Sequence, residues 1–338
     1  MPRYLTKSRF KLALECPTKL FYTHKAEYAN TKIEDSFLES LAQGGFQVEE
    51  LARMYFPDGI AILGDDRDDQ ILINRTRDLL QQENVTIFEA AFLYNDLFIR
   101  VDILKKTGAK VELIEVKAKS ISPTNHNGFF NGNGIVPKWV PYLYDIAFQQ
   151  YVIKKSFPEW SVKPFLMLAN KDAVSTVNGL NQNFRITKEA NNRTGVKKKD
   201  GLRLEDLGER LLAQISVEEE VLLIQNSKPV DEKQSFEQLI EHFRIHYKKD
   251  QKIVTPIGRQ CKDCEFKTNE GDTLNSGFHE CWNHQLQISI EEINREKVYD
   301  VWDLRRAKSI MKNGRYFMQE LIENDIKIKV EAGKLSKN

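Results

Sequence analysis

The segment 86–120 constrains the fold of this chain more than any other stretch. It reads TIFEAAFLYNDLFIRVDILKKTGAKVELIEVKAKS, and its runs of β-branched and aromatic residues are separated by Asn95-Asp96 and by Thr107-Gly108. Turn-forming pairs between such runs are typical of β-hairpins. The sequence therefore predicts an antiparallel meander of three strands.

Two-residue turns decide which side chains of the meander meet. The first turn puts Glu89 opposite Asp102, and the second puts Asp102 opposite Leu113. Side chains two apart share a strand face, so Glu115 becomes the diagonal neighbour of Asp102, with Lys117 beside it. We expect Glu89, Asp102, Glu115 and Lys117 to converge on one face.

Three carboxylates on one face repel one another, so the predicted patch needs a counter-charge. Mg²⁺ or Mn²⁺ is the simplest candidate, because these hard cations prefer carboxylate oxygen atoms. The plainer alternative is an exposed strand face on which Glu115 and Lys117 alternate without a ligand, and an isolated Glu-x-Lys triplet more often represents that.

The four cysteines of the chain predict a second site. Cys16 stands alone near the N-terminus, Cys261 and Cys264 form a C-x-x-C, and Cys281 lies in SGFHECW. Without a secretory signal, such a pair is more typical of a metal or redox site than of a disulfide. The spacing leaves an iron-sulfur cluster and Zn²⁺ equally open, including a zinc site in which His279 or His284 joins three cysteines.

An aspartate, a hairpin and Glu-x-Lys, here Asp102, Glu115 and Lys117, resemble the core of the PD-(D/E)XK nuclease superfamily. The opening residues 5–22, LTKSRFKLALECPTKLFY, are similar to the first helix of its RecB-like branch. Members of that branch with one early and three late cysteines, such as the CRISPR-associated RecB-like exonucleases and AddB, carry an iron-sulfur cluster. The resemblance covers roughly residues 4–282 and matches poorly between 170 and 252.

The resemblance implies an α/β fold of restriction-endonuclease type, with a mixed central sheet flanked by helices. Residues 1–285 would form the nuclease domain, with a helical insertion at about 171–250 and a cysteine-rich cluster segment that closes it. Residues 286–338 would be a helical extension or a linker to a further domain or partner subunit. Local patterns favour a strand over 162–169 and helices over 6–15, 36–55, 70–83, 139–157, 202–225 and 235–247.

The resemblance also implies roles for the residues of the meander. Asp102 and Glu115 would hold one or two Mg²⁺ or Mn²⁺ ions, helped by Glu49 and Glu89. Glu49 stands where RecB-like enzymes usually have a histidine, and a carboxylate there favours hard cations. Lys117, with a pKa lowered by the metal ions, would orient or deprotonate the attacking water or stabilise the pentavalent phosphorane.

Further residues are implied in the two sites. The branch places a glutamine and a tyrosine on the helix after the catalytic strand, where they contact the nucleic acid or orient the site. The glutamine corresponds here to Gln149, with Gln150 as the alternative, and the tyrosine to Tyr151. The loop after that strand begins near Lys119 and contains Phe129 and Phe130, which would stack on bases or simply cover the core. The resemblance favours a structural 4Fe-4S cluster bound by all four cysteines, Cys16, Cys261, Cys264 and Cys281.

Composition limits the classes of protein that remain. The chain has 338 residues, 41% of them hydrophobic and 29% charged, as in ordinary globular proteins. It has no apolar run near 18 residues, so we expect a cytoplasmic protein that does not cross a membrane. The net charge of +1 means that a nuclease would need a local basic surface.

The sequence therefore favours a Mg²⁺- or Mn²⁺-dependent nuclease, expected to act as an exonuclease on DNA with a free end or a single strand. DNA repair and phage defence both use this chemistry. One alternative is a nucleic-acid-binding module of the same fold that lacks catalysis. Another is a zinc-stapled scaffold that binds no nucleic acid, and salt-dependent DNA binding would separate it from the other two.

Overall fold

The computed structural model describes most of the chain. The described residues are 2–33, 36–62, 68–124, 128–132, 134–188, 194–227, 234–268, 271–325, 328–331 and 334–337. They divide into two compact units, which we call unit 1, Met1–Leu14 with Ser36–Asp250, and unit 2, Glu15–Asp35 with Gln251–Asn338. This division differs from the expected boundary after residue 285.

The helices and strands of both units are numbered in chain order. The helices are α1 Lys7–Glu15, α2 Lys19–Tyr22, α3 Ser36–Met54, α4 Asp69–Leu79, α5 Val140–Ser156, α6 Glu218–Asn226, α7 Phe236–Lys248, α8 Gly277–Leu286, α9 Ile290–Ile293 and α10 Ala307–Lys312. The strands are β1 Leu5–Thr6, β2 Ile60–Ala61, β3 Asn84–Tyr94, β4 Leu97–Thr107, β5 Lys110–Ile121, β6 Phe130–Asn131, β7 Gly134–Ile135, β8 Ser161–Asn170, β9 Phe184–Lys188, β10 Thr194–Lys198, β11 Leu212–Ser216, β12 Ile328–Glu331 and β13 Lys334–Lys337.

A mixed sheet forms the centre of unit 1. Within the described residues it has seven strands, in the order β11-β8-β5-β4-β3-β2, with β1 paired beside β4. The pairs β5–β8, β2–β3 and β1–β4 are parallel, and the pairs β3–β4, β4–β5 and β8–β11 are antiparallel. The predicted class, α/β with a mixed central sheet flanked by helices, is confirmed.

The meander of β3, β4 and β5 forms as predicted, and the register of its first hairpin is confirmed. Tyr94 lies opposite Leu97. Asn95 and Asp96 both have positive φ, 44° and 64°, as the primed two-residue turn of a hairpin requires.

The predicted register of the second hairpin was wrong by two residues. Thr107 lies opposite Lys110, so the turn consists of Gly108 and Ala109. Gly108 has a φ of 57°, which glycine adopts without steric cost, and this places it first in the turn. A shift of two leaves every side chain on its predicted face, but brings Glu115 rather than Leu113 into line with Asp102.

Helices cover both faces of the sheet. On one face, the apolar side of α3 packs on Ile114 and Val116 of β5 through side chains that include Leu51 and Met54. On the other face lies α5, whose side chains from Leu143 to Gln150 are all buried. Strand β5 is therefore buried on both sides.

The insertion at 171–250 is not purely helical, which corrects the prediction. Strands β9 and β10 form a hairpin, and β11 pairs antiparallel with β8 at the edge of the central sheet. The helix predicted over 202–225 was wrong in its first half, because residues 212–216 gain backbone hydrogen bonds from β8 and only α6 is helical. The helix predicted over 235–247 is confirmed as α7, which Ser235 caps.

Unit 2 has its own apolar core around Trp282. Phe278 and Trp282 of α8 pack with side chains of the following segment, which include Ile293, Ile310 and Phe317. The described part of 286–338 therefore belongs to the core of the cysteine segment, and its helices α9 and α10 are short. No helix among the described residues of either unit is long and apolar enough to span a membrane.

Candidate functional site

Strands β4 and β5 separate at the point where the two predicted catalytic carboxylates stand. Their regular pairing ends at Ile103 opposite Ile114, and the next positions along the two strands are Asp102 and Glu115. Beyond this fork, β5 continues along β8 and the start of β4 pairs with β1. The backbone N–H of Val116 donates to Asp102 Oδ2 at 2.8 Å, so the carboxylate replaces a lost hydrogen bond between the strands.

Two lysine ammonium groups neutralise these carboxylates. Lys7 Nζ, from the first residue of α1, lies 3.1 Å from both oxygen atoms of Glu115 and 3.2 Å from Asp102 Oδ1. Lys117 Nζ donates to Glu115 Oε1. Glu115 is fully buried and Asp102 nearly so. The counter-charge that the crowded carboxylates require is therefore supplied partly by the chain itself.

Helix α5 supplies a second layer of polar contacts behind Glu115. Gln149 Nε2 donates to Glu115 Oε2 at 2.8 Å and to Asp145 Oδ1 at 3.0 Å. Lys11 Nζ donates to Asp145 Oδ2 at 2.8 Å. Gln149 Oε1 is buried and has no hydrogen-bond partner among the described residues, so it remains a free acceptor in the interior. This supports the expected place of Gln149 in the site.

The charged groups of the site shift the pKa values of its side chains in opposite directions. Burial would raise the pKa of Glu115, but the ammonium groups of Lys117 and Lys7 outweigh burial and hold it well below its usual range. Burial and the charge of Glu115 raise the pKa of Asp102 to about 6. Burial would lower the pKa of Lys117, but Glu115 and Asp102 raise it above its ordinary value. The lowered pKa expected for Lys117 depended on metal cations, and without them Lys117 keeps its proton.

Glu89, which was predicted to converge with the other carboxylates, pairs with two arginines, and its charge adds to the rise in the pKa of Asp102 that burial causes. Glu89 has a φ of 59°, and it forms ion pairs with Arg53 at 3.0 Å and Arg100 at 3.1 Å. Glu49 of α3 contacts the same guanidinium of Arg53. Burial and the charges of Asp102 and Glu89 raise the pKa of Glu49 to about 8. The charge of Asp102 therefore affects the pKa of Glu49, although Glu49 pairs directly with Arg53.

The end of β5 and the start of α5 form a basic and aromatic step from Lys119, Trp139 and Tyr142. Lys119 Nζ lies 4.9 Å from the ring centres of both Trp139 and Tyr142 and donates to the carbonyl of Lys138. The β5–β8 pairing shifts register between Lys117 and Ser120, and such bulges are frequent next to active sites. This step lies just past Lys117 on the same strand.

The aromatic residues expected to contact nucleic acid are mostly engaged elsewhere. Phe129 is buried and packs edge-on against Trp139, so it is not available to stack on a base. Phe130 is half-buried in β6. The Tyr151 hydroxyl donates to Glu237 of α7 at 3.0 Å, and its ring packs on Phe236. Tyr151 therefore connects α5 to α7 and makes no contact with Glu115.

The four cysteines come together in unit 2. All four are free thiols, and all line one cavity, Cys16 after α1, Cys261 and Cys264 around the 3₁₀ turn Arg259–Asp263, and Cys281 on α8. The Tyr22 hydroxyl lies 3.4 Å from Cys281 Sγ. Sequence spacing therefore identified residues that the fold brings to one place.

The cavity favours neutral thiols in the absence of a metal. Burial raises the pKa of Cys261 to about 11 and that of Cys264 to about 12. The buried Lys19 nearby already pairs with Glu265 at 2.6 Å and with Glu15 at 2.8 Å. A metal that takes these sulfur atoms as thiolates must therefore displace their protons.

The alternative with a histidine ligand has less support. Both ring nitrogen atoms of His279 have partners, Ser276 Oγ at 2.7 Å and Asn294 Oδ1 at 2.9 Å. His284 is exposed on α8. The cysteine donors alone suit an iron-sulfur cluster or Zn²⁺.

The donor atoms of the fork suit a hard divalent cation, because buried carboxylate oxygen atoms and the free Gln149 Oε1 are the ligands that Mg²⁺ and Mn²⁺ prefer. As arranged, no group of three or more histidine, cysteine, aspartate or glutamate side chains in the described part of the chain could hold a metal ion. At the fork the place between Asp102 and Glu115 is taken by the ammonium group of Lys7.

Lys7, Lys11 and Asp145 are site residues that sequence reasoning missed. Two weak signals point to them, because Lys7 and Lys11, like Asp145 and Gln149, are four residues apart on one helix and so share a face. Their partners on β4 and β5 become visible only in the fold.

Comparison of the chain with protein-family models, with curated proteins and with solved structures finds no match. Inference about function therefore starts from the residues at the fork and in the cysteine cavity.

Proposed function

We propose that this chain is a metal-dependent DNA nuclease of the RecB-like PD-(D/E)XK type, with a restriction-endonuclease-like unit 1 and a structural iron-sulfur cluster in unit 2. One observation carries the proposal. Asp102, Glu115, Lys117 and Gln149 meet at the fork of β4 and β5, where Glu115 is fully buried among charged partners. Buried ionisable groups with strongly shifted pKa values are typical of functional sites.

Asp102 and Glu115 would hold Mg²⁺ or Mn²⁺, with Glu49 as a nearby further carboxylate. The bound cation would polarise the scissile phosphate and lower the pKa of a water molecule, which attacks phosphorus in line with the leaving oxygen. Lys117 is protonated beside Glu115, so its charge suits stabilisation of the negative phosphate better than proton abstraction. Gln149 would hold the orientation of Glu115.

The substrate side of the proposal rests on the step formed by Lys119, Trp139 and Tyr142, of which Lys119 and Tyr142 are partly exposed and Trp139 is buried. A positive group stacked on aromatic rings next to the catalytic lysine suits the backbone and bases of a single strand. Because the whole chain has a net charge of only +1, such a local surface must supply the attraction to DNA.

The cysteine cavity would hold a 4Fe-4S cluster, with Zn²⁺ as the alternative. Cys16 and Cys281 belong to the two separate segments of unit 2, so a bound metal would close a very long loop of the chain. Such a link stabilises the folded state mainly by restricting the unfolded chain. The role assigned to this metal is therefore structural.

A second candidate is a nucleic-acid-binding module of the same type without catalysis. Two observations favour it, because Lys7 takes the place of a cation at the fork and Glu49 is bound by Arg53. On this alternative the carboxylates would serve only to hold the strands and helices together.

The test is an anaerobic purification with iron and zinc analysis, followed by incubation with end-labelled single- and double-stranded DNA and Mn²⁺. Glu115→Gln is compared with Glu112→Gln, a control on the same strand whose exposed carboxylate pairs with Lys105 at 3.5 Å. A nuclease should lose activity about 100-fold or more in Glu115→Gln, since metal-based stabilisation is worth several kcal/mol. Glu112→Gln should cleave like the wild type.

Equal cleavage by both variants would contradict the assignment of the site. Wild-type protein that binds DNA in a salt-dependent way but never cleaves it would favour the binding module.

A further inference from the structure

The position of Lys7 is fixed by the backbone. Strand β1 pairs with β4 through Leu5 opposite Leu97 and Thr6 opposite Phe98, and Lys7 follows as the first residue of α1. Thr6 Oγ1 accepts a hydrogen bond from the backbone N–H of Arg9 at 3.3 Å, which caps the helix. Strand pairing and helix capping therefore direct Lys7 into the fork.

The ammonium group of Lys7 directs all of its hydrogen-bond donors to the two carboxylates. An ammonium group has three N–H donors. Lys7 Nζ has three acceptors within 3.2 Å, both oxygen atoms of Glu115 and Oδ1 of Asp102. It bridges two carboxylates from two strands, which is the role that a divalent cation would have in the same place.

The ammonium group and a metal ion cannot share this position. Mg²⁺ binds carboxylate oxygen atoms at about 2.0–2.1 Å, inside the volume that Lys7 Nζ and its hydrogens occupy. A cation coordinated by Asp102 and Glu115 must therefore displace Lys7. Lys117 differs, because it contacts only Oε1 of Glu115 and approaches from its own strand.

Replacement of Lys7 by a divalent cation would change the net charge of the fork. Two carboxylates and two ammonium groups leave the fork near neutrality. Replacing Lys7 by a divalent cation makes the fork positive, which suits an anionic phosphodiester. The metal-free arrangement already has its charges paired. The net free energy of cation binding is therefore the difference between the binding of the cation and the binding of Lys7.

We propose that Lys7 occupies the cation position of the fork in the metal-free protein and competes with Mg²⁺ or Mn²⁺ for Asp102 and Glu115. This inference rests on the proposed function, since it assumes that a metal binds at the fork. Lys7 is a positioning residue, because it keeps the carboxylates together until the metal arrives and thereby sets the metal affinity.

The experiment measures Mn²⁺ binding by calorimetry in the absence of DNA, on the full chain with its cysteine site loaded. Lys7→Met removes the charge but keeps most of the length of the side chain. Lys105→Met is the control, because Lys105 lies on β4 outside the fork and pairs with Glu112 at 3.5 Å. Asp102→Asn reports whether Mn²⁺ binds at the fork at all.

Lys7→Met should bind Mn²⁺ about tenfold more tightly than the wild type, if Lys7 leaves the site open about one tenth of the time. Lys105→Met should match the wild type, and Asp102→Asn should lose the site. A purely structural role predicts the opposite sign, because loss of a supporting contact would loosen the ligands and weaken metal binding.

A second measurement uses the wild type alone and so does not depend on the folding of a variant. Amine-modifying reagent followed by mass spectrometry compares labelling of Lys7 and Lys11 with and without saturating Mn²⁺. Displacement from the fork should raise the labelling of Lys7 several-fold and leave that of Lys11 unchanged.

Two outcomes overturn the inference in different ways. If Asp102→Asn abolishes Mn²⁺ binding while Lys7→Met binds like the wild type or more weakly, and Lys7 labelling is unchanged, the competition is absent but the metal site stands. If no variant binds Mn²⁺ in a way that depends on Asp102, the inference and the proposed nuclease site fail together.

Discussion

The fork in unit 1 and the cysteine cavity in unit 2 differ in how they exist without a metal. At the fork, Asp102 and Glu115 are balanced by the ammonium groups of Lys7 and Lys117. In the cavity, burial raises the pKa values of Cys261 and Cys264, and the nearby cation Lys19 is already paired with carboxylates. At the fork, lysine side chains neutralise the carboxylates. In the cavity, Cys261 and Cys264 carry no charge because their thiols stay protonated.

This difference predicts different consequences of metal loss. Removing the metal from the fork leaves ion pairs that still join β4, β5 and α1. Removing it from the cavity leaves thiols that no longer link the segments of unit 2. Metal should therefore matter for activity in unit 1 and for folding in unit 2.

The largest effect should follow from Cys261→Ser. Loss of one ligand should release most of the bound iron or zinc, because structural metal sites contribute directly to folding. We expect a loss of about 2–5 kcal/mol in unit 2, comparable with the removal of a structural cross-link. Metal analysis and hydrogen exchange of the α8 amides measure both consequences.

His284→Gln is the control for this prediction, because it changes an exposed neighbour of Cys281. It should retain the metal. Loss of metal in His284→Gln with retention in Cys261→Ser would reverse the ligand assignment and favour a histidine-containing zinc site.

An effect of similar size in free energy is expected from Glu115→Gln on the stability of metal-free unit 1. The change leaves Lys7 and Lys117 near a single carboxylate, and breaking a buried ion pair costs about 3–5 kcal/mol. Hydrogen exchange of the β4 and β5 amides gives the change in the free energy of opening. A cost below about 0.5 kcal/mol would mean that the fork is not held together by these charges.

The pH dependence of stability should separate the two sites further. The pKa values of Asp102, about 6, and Glu49, about 8, lie above the ordinary values of about 3.9 and 4.3 in an unfolded chain. The folded protein then binds more protons than the unfolded chain, so stability should fall as the pH rises from about 5 to about 8. The slope per group is at most about 1.4 kcal/mol per pH unit.

Glu49→Gln tests this prediction, because it should flatten the decline between about pH 6 and 8. Urea unfolding of metal-free protein, followed by circular dichroism at several pH values, provides the comparison. An unchanged slope in the variant would show that Glu49 does not titrate in this range.

The smallest effect is expected from Tyr151→Phe. It removes one partly exposed hydrogen bond to Glu237, which is worth about 1 kcal/mol or less. DNA affinity should stay at the wild-type level, because Tyr151 faces α7. A clear loss of DNA binding at unchanged stability would restore the role that the sequence suggested for this residue.

Local chemistry explains which parts of the fold the sequence could predict. Asn95-Asp96 specifies its own turn, and the apolar periodicity of α3 indicates which of its faces is buried. The second turn was misplaced because a shift of two residues around Gly108 leaves the same side chains on the same faces. A pattern of period two contains no information that separates these registers.

Tertiary contacts decided the features that the sequence did not predict. Residues 212–216 became β11 only because the edge of β8 was available to pair with them. Glu89 pairs with Arg53 and has a positive φ, which the sequence did not indicate because the residue is not a glycine. Lys7 reaches the fork because β1 pairs with β4 over two residues, which is too short a strand to predict from its pattern.

The most direct test of the account is an anomalous difference map from crystals of the wild-type protein soaked in Mn²⁺. The account predicts a manganese peak bonded to oxygen atoms of Asp102 and Glu115, with Lys7 Nζ moved out of the fork. An empty fork at saturating Mn²⁺, with Lys7 still bridging the two carboxylates, would contradict it.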